Sequence, residues 1–158
     1  MRVLILHDEL PPGARPDELD VLAQVDAIDR VLRAGGHRVS RRPVGLRFDV
    51  AARAIRDLAP DVVVNLVESI DRSGRLVHLA TSLLDHLRVP FTGCSTAALF
   101  DTSDKVRAKE RLVEAGIPTP EWATASTAIH LSDVVRHRFI VKPPSEPGSL
   151  GLDADAVA

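Results

Sequence analysis

The sequence predicts an α/β protein built on a small parallel sheet with helices on both faces. Three observations carry that prediction. Short apolar runs alternate with stretches of helical apolar spacing from Arg2 through Gly93. The run Asp61-Val62-Val63-Val64-Asn65-Leu66 is continuously apolar and β-branched at its centre, the pattern of a strand covered on both faces. Pro and Gly break the chain between these stretches, so the connections are short and right-handed crossovers are expected.

The elements follow in order. Arg2-Val3-Leu4-Ile5-Leu6 is the first strand, and Pro11, Pro12, Gly13 and Pro16 make the loop after it. Asp17 is the expected cap of a helix whose apolar face is Leu19, Leu22, Val25, Ile28 and Leu32, stopped by Gly35-Gly36. His37–Ser40 is a second strand, and Asp49 caps a short helix that ends before Pro60. The run from Asp61 is the third strand. Leu76, Leu79, Leu83 and Leu87 space a third helix, and Val89–Thr92 is a fourth strand. Ligands on such sheets sit beyond the carboxyl ends of the strands, which here are His7–Glu9, Val67–Gly74 and Thr92–Ser95. Further on, Thr102 or Ser103 caps a helix to Ala115-Gly116 that carries Lys105 and Lys109 on one face. Trp122–Thr124 is a strand, Leu131–Arg136 a short helix, and Arg138–Lys142 a strand leading into a Pro/Ser/Gly loop.

The chain has 158 residues, 45% hydrophobic and 27% charged, within the globular range. A net charge of −2 lacks the cationic excess of non-specific nucleic-acid binding. One Cys excludes an internal disulfide and a Cys-based metal site. No apolar run approaches the roughly 18 residues of a membrane span, and Val3–Leu6 is short for a signal peptide. The expectation is a cytoplasmic protein with no nucleic-acid or membrane partner.

The 20 cations are 17 Arg and 3 Lys, namely Lys105, Lys109 and Lys142. Lysine is a compact point charge suited to a narrow phosphate site. Lys142 ends an apolar run and opens Pro143-Pro144-Ser145-Glu146-Pro147-Gly148-Ser149-Leu150-Gly151. Small residues of this kind let free N–H groups and hydroxyls approach phosphate oxygens; an ordinary surface loop has the same composition.

Four features follow in order: Thr92-Gly93-Cys94-Ser95, Asp104-Lys105, Ala115-Gly116-Ile117-Pro118-Thr119-Pro120 and Ile140-Val141-Lys142-Pro143. Together they resemble the D-alanine–D-alanine ligase branch of the ATP-grasp family. The resemblance covers Asp61 onward in detail and the whole chain in element order. It implies a Rossmann-like pre-ATP-grasp substrate domain over 1–95. It implies the incomplete start of an α+β ATP-grasp domain over 96–158. By position, Lys105 and Lys142 match the lysines on the ATP phosphates, and Ser149 and Gly151 match the loop closing over them. The implied reaction joins a carboxylate to an amine through an acyl phosphate, with ATP and Mg²⁺ as cofactors. An amino acid or related carboxylate is the implied substrate, and a homodimer through the first domain the implied assembly.

The sequence departs from the family pattern in three places. Pro147-Gly148-Ser149 stands where the family loop has Gly-Ser-Ser. Asn65-Leu66-Val67-Glu68 replaces a His-Gly motif. The loop after the first strand lacks the family's Gly-Gly-x-Ser. Glu68 and Arg72, after the third strand, and Glu18, at the helix start, are the substrate-side candidates. No residue is assigned as a metal ligand: Asp153 and Asp155 read as a solvent-facing edge, and the Mg²⁺ ligands are expected outside this chain. The isolated chain is therefore expected not to turn over substrate. The alternative is a non-catalytic α/β module that binds a small amino-acid-like ligand or a partner chain. A phospho-accepting receiver domain would need an Asp where Asn65 stands. Cys94 and Trp122 are expected to pack. The histidines, His7 apart, are expected to be structural or exposed. Asp101, Asp104, Glu110 and Glu114 read as charges on a solvated helix.

Overall fold

The computed structural model describes residues 1–126 and 140–145. The chain divides into two compact units, Met1–Phe100 and Asp101–Ala158.

The first unit is a three-stranded parallel sheet of order β2-β1-β3, with β1 Arg2–Asp8, β2 Arg38–Val44 and β3 Val62–Leu66. Strand β1 is central, with Val3 paired to Val39 on one side and to Val62 on the other. It is β1, not β3, that is buried on both faces: Val3, Leu4, Ile5 and Leu6 are all buried, whereas only Val63 is so in β3. The apolar run from Asp61 measures hydrophobicity, but position in the sheet decides coverage, and β3 lies at the sheet's edge. The expected fourth strand shrinks to one bridge, Val63 to Phe91. The Val63 amide donates to the Pro90 carbonyl at 2.8 Å and Thr92 donates back to Val63 at 3.0 Å. Pro90 has no N–H with which to extend the ladder.

Helix α1, Pro16–Ala34, covers one face, where Val25, Ile28 and Leu32 pack with Ile5, Val39 and Val64. Its start is not Asp17 but Arg15-Pro16. Proline is preorganised at the first helical position, and the Glu18 carboxylate accepts the Arg15 N–H at 2.8 Å. The predicted stripe is wrong in its first turns: Leu19 and Leu22 are exposed and Val21 is buried. Asp29, nearly buried, accepts from Arg33 at 2.8 Å and from Arg41 of β2, which also reaches Asp26 at 2.5 Å. Arg33 donates in turn to the Val39 carbonyl at 2.6 Å. This network fastens α1 to β2.

The other face carries α2, Phe48–Leu58, and α3, His78–Leu87. Ala51, Ile55, Ala80 and Leu84 pack on Leu4, Leu6 and Val63 to form the larger core. Asp49 lies in the first turn of α2 rather than at its cap, pairing with Arg47 and Arg53. Strand β2 runs to Val44, beyond the expected Ser40, and includes Pro43, tolerable because β2 is an edge strand.

The helix expected after Thr102 is α5, Lys105–Glu114, and a further short helix, α4 Thr96–Thr102, which was not expected, precedes it. The cap of α5 is Asp104, whose carboxylate accepts from the Val106 and Arg107 amides at 2.9 and 3.0 Å. Gly116, with φ +69°, ends α5, and Ile117 N–H closes back on the Leu112 carbonyl at 2.8 Å. Trp122–Thr124 is not a strand, and of the expected Arg138–Lys142 strand the described part, Ile140–Lys142, makes a bridge at Ile140 alone. The Leu131–Arg136 helix and Arg138-Phe139 lie outside the described residues. Among the described residues no helix is long and apolar enough to cross a membrane.

Candidate functional site

At the carboxyl edge of the sheet, Asp8 ends β1 and is buried. One of its carboxylate oxygens accepts the Glu68 N–H at 2.8 Å and the other the Ser69 hydroxyl at 2.6 Å. Hydrogen bonds to a charged group are worth about 1.5–3 kcal/mol each, so the loop after β3 is pinned to the central strand. Ile70 is fully buried and exchanges backbone hydrogen bonds with Ser73 at 3.2 and 3.0 Å. The turn between them, Asp71-Arg72, has φ of +52° and +61°. Left-handed backbone costs a non-glycine residue roughly 1–2 kcal/mol. The turn delivers Arg72, whose Nε lies 2.9 Å from a Glu18 oxygen. The Arg15 amide, with the Arg72 guanidinium beside it, holds the Glu18 carboxyl below the usual carboxylate range. Glu18, in the first turn of α1, and Arg72, on the loop after β3, are thus brought together, while Glu68 on the same loop is exposed. His7 precedes Asp8 on β1, its Nδ1 2.9 Å from the Asp8 carbonyl oxygen.

In the second unit, Lys105 opens α5. Its amide donates to the Pro144 carbonyl and its Nζ to the Pro143 carbonyl, each at 2.8 Å. The stretch that follows Lys142 is therefore docked at the start of α5, which brings two of the three lysines into one neighbourhood. Lys142 itself is exposed. Lys109, one turn on, donates to Thr119 Oγ1 at 3.0 Å and to the Pro120 carbonyl at 2.6 Å, and lies 5.2 Å from the Trp122 ring. It clips the Pro-rich linker to the helix. Ser149 and Gly151 lie outside the described residues, as do Asp153 and Asp155.

No family model matches the chain. Individual proteins do. A D-alanine–D-alanine ligase of Erythrobacter litoralis is 30% identical over 149 residues, 93% of this chain and 44% of the relative. One of Cereibacter sphaeroides is 28% identical over 141 residues, 89% of this chain and 44% of the relative. The chain resembles part of a D-alanine–D-alanine ligase. It spans just under half the length of these curated relatives. The solved D-alanine–D-alanine ligase of Bacillus anthracis complexed with ATP superposes with a TM-score of 0.70 at 17% identity, covering 92% of this chain and 48% of that one. The D-alanyl-alanine synthetase A of Vibrio cholerae gives 0.66 at 16% identity, covering 95% and 50%. These superpositions show a common fold.

In this ligase-like chain several side chains had other roles than expected. Asp8 and Lys109 are engaged in the structure although neither was a site candidate in the sequence. The signal for Asp8 was its place at the end of the first strand; its partner lies 60 residues away, which no spacing reveals. Cys94 is exposed rather than packed. Trp122 is 38% exposed, lying against Lys109 rather than in a core. Asp104 is a cap, and Asp101 pairs with Arg107 and Arg111. His78 packs edge-on against Phe100 at 5.0 Å. Among the described residues no three His, Cys, Asp or Glu side chains gather to hold a metal ion.

Proposed function

We propose that the chain provides the substrate-side domain and the opening part of the nucleotide-binding domain of an ATP-dependent carboxylate–amine ligase. Met1–Phe100 would be the substrate domain and Asp101–Ala158 the part of the ATP-grasp unit. The observation that carries this reading is the docking of Pro143-Pro144 on Lys105, 38 residues away in sequence, which gathers the two family-matched lysines. Lys105 Nζ now donates to the Pro143 carbonyl, and a phosphate oxygen is a stronger acceptor for the same ammonium. ATP, when bound, would supply the phosphoryl group that activates the substrate carboxylate. Lys105 and Lys142 would hold its phosphates and offset their charge, with Ser149 and Gly151 closing over them. The amine would then displace phosphate from the acyl carbon. Magnesium would be held by residues outside those described. An α-amino acid or related carboxylate is the proposed substrate, and the cytoplasm the proposed compartment.

Calorimetric titration of the chain with ATP–Mg²⁺ tests this. The unmodified chain should bind, and Lys142→Ala should weaken binding by about tenfold or more, the loss of one charge-assisted contact. Equal affinity in the variant, or no binding by the parent, counts against the assignment. A second reading is a non-catalytic module that binds an amino-acid-like ligand. It is favoured by the gathering of Asp8, Glu18, Glu68 and Arg72 wholly within Met1–Phe100. Binding of D-alanine with no binding of ATP–Mg²⁺ would select it.

A further inference from the structure

Asp8 is not among the residues that the ligase resemblance marks, yet it is buried and both of its carboxylate oxygens are engaged. We propose that Asp8 is a positioning residue for the substrate side, acting through Glu68-Ser69 to hold Arg72 on Glu18. The functional meaning of the proposal rests on the reading of this edge as the substrate side.

Asp8 is the last residue of the central strand, where its backbone is fixed by ladders to Val44 and, one residue earlier, to Leu66. Both carboxylate oxygens are spent on the loop after β3, on the Glu68 amide and the Ser69 hydroxyl. A buried carboxylate must be met by donors, and here they come from the loop that bears the candidate residues. Ile70 anchors the same loop in the core, with 0% exposure. Between this anchor and Ser73 the chain holds two successive left-handed non-glycine residues. Such a turn persists only where its surroundings over-determine it; Asp8 and Ile70 supply that restraint at its base. Arg72 then meets Glu18 at 2.9 Å, and the other Glu18 oxygen caps α1 through Arg15. An acid that touches neither Glu18 nor Arg72 thereby sets whether the Glu18 carboxylate is paired or open to a cationic group of a ligand.

The readout is the titration of Glu18, followed by carboxyl-carbon NMR in the full chain. The charged groups facing Glu18 are Arg15 at the helix start and Arg72 on the loop. In Asp8→Ala the Glu18 midpoint should rise toward the ordinary value of about 4.3, and exchange of the Glu68 amide should quicken about tenfold or more. Asp8→Asn should restore both, because the amide oxygen can accept from Glu68 and the NH₂ can donate to Ser69. An unchanged Glu18 midpoint in folded Asp8→Ala overturns the proposal. If Asp8→Ala does not fold, Ser69→Ala removes one of the two bonds and should raise the midpoint part of the way; no change there overturns it equally. Arg72→Ala must itself raise the midpoint, and its failure to do so removes the pair on which the proposal depends. None of these readouts uses nucleotide, so loss of the ligase reading and loss of this one are separate results.

Discussion

The two units of the chain are held together by different physics. In Met1–Phe100, Leu4, Leu6, Ile55, Leu84 and their neighbours form a closed apolar core on one face of the sheet, and Ile5, Val25 and Val39 a smaller one on the other. From Asp101 onward none of the described residues is buried. There the order comes from lysine ammonium groups on backbone carbonyls, from the Asp104 cap and from the Gly116 turn. Burial is non-directional and hard to undo locally. Exposed charge-assisted hydrogen bonds are directional, individually modest and open to competition from water or a bound anion. The first unit is thus built as a fixed platform, and the described part of the second from contacts that a phosphate-bearing ligand could trade for its own.

Three substitutions break or sharpen that contrast. Leu84→Ala removes a fully buried side chain from the larger core. It should cost the first unit about 2–5 kcal/mol in denaturant unfolding; a loss below about 1 kcal/mol would mean that the core is not what holds it. Asp29→Asn addresses the polar tie between α1 and β2. The Arg41 hydrogen bond, followed by that of Arg33, holds the Asp29 carboxyl below its usual range. A depressed folded-state pKa stabilises above the unfolded value, about 3.9, and the benefit is lost as pH falls through the folded value. Melting of the parent between pH 7 and pH 3 should therefore decline more steeply than that of Asp29→Asn. Parallel curves would remove Asp29 from the account. The smallest effect on stability should come from Lys109→Met. Trp122 is the only tryptophan, so its emission reports the linker directly. The variant should expose Trp122 further to acrylamide quenching while the unfolding midpoint of the first unit moves by no more than the equivalent of about 0.5 kcal/mol. A larger global loss would show that the clip supports both units.

Much of the first unit was legible residue by residue. Val3–Leu6 and Ile55 sit in stretches whose pattern reports burial, because burial follows local hydrophobicity at helical or strand spacing; for α3 the expected stripe of Leu76, Leu79, Leu83 and Leu87 is only partly buried, and Leu84 beside it is the fully buried leucine. Leu19 and Leu22 misled, since in its first turns α1 turns Val21 rather than those leucines inward. Val89–Thr92 misled because Pro90 interrupts a ladder that β-branching alone would favour. At the site, Glu68 and Arg72 could be nominated from their place in the loop beyond a strand end, and Glu18 from its place at a helix start. That Glu18 and Arg72 pair, and that Asp8 governs the loop, could not, because those contacts span 54 and about 60 residues and depend on backbone angles that Asp-Arg does not advertise.

What the sequence by itself determined was the alternation of strands and helices, the identity of the main apolar core and the rarity of lysine. These are set by side-chain chemistry read along the chain. Only the tertiary structure decided that β1 is the buried strand, that Asp8 and the loop after β3 form one polar unit, and that Lys105 meets Pro143. Coverage, pairing and hydrogen-bond satisfaction are properties of which segments become neighbours, and that is fixed by packing the whole fold.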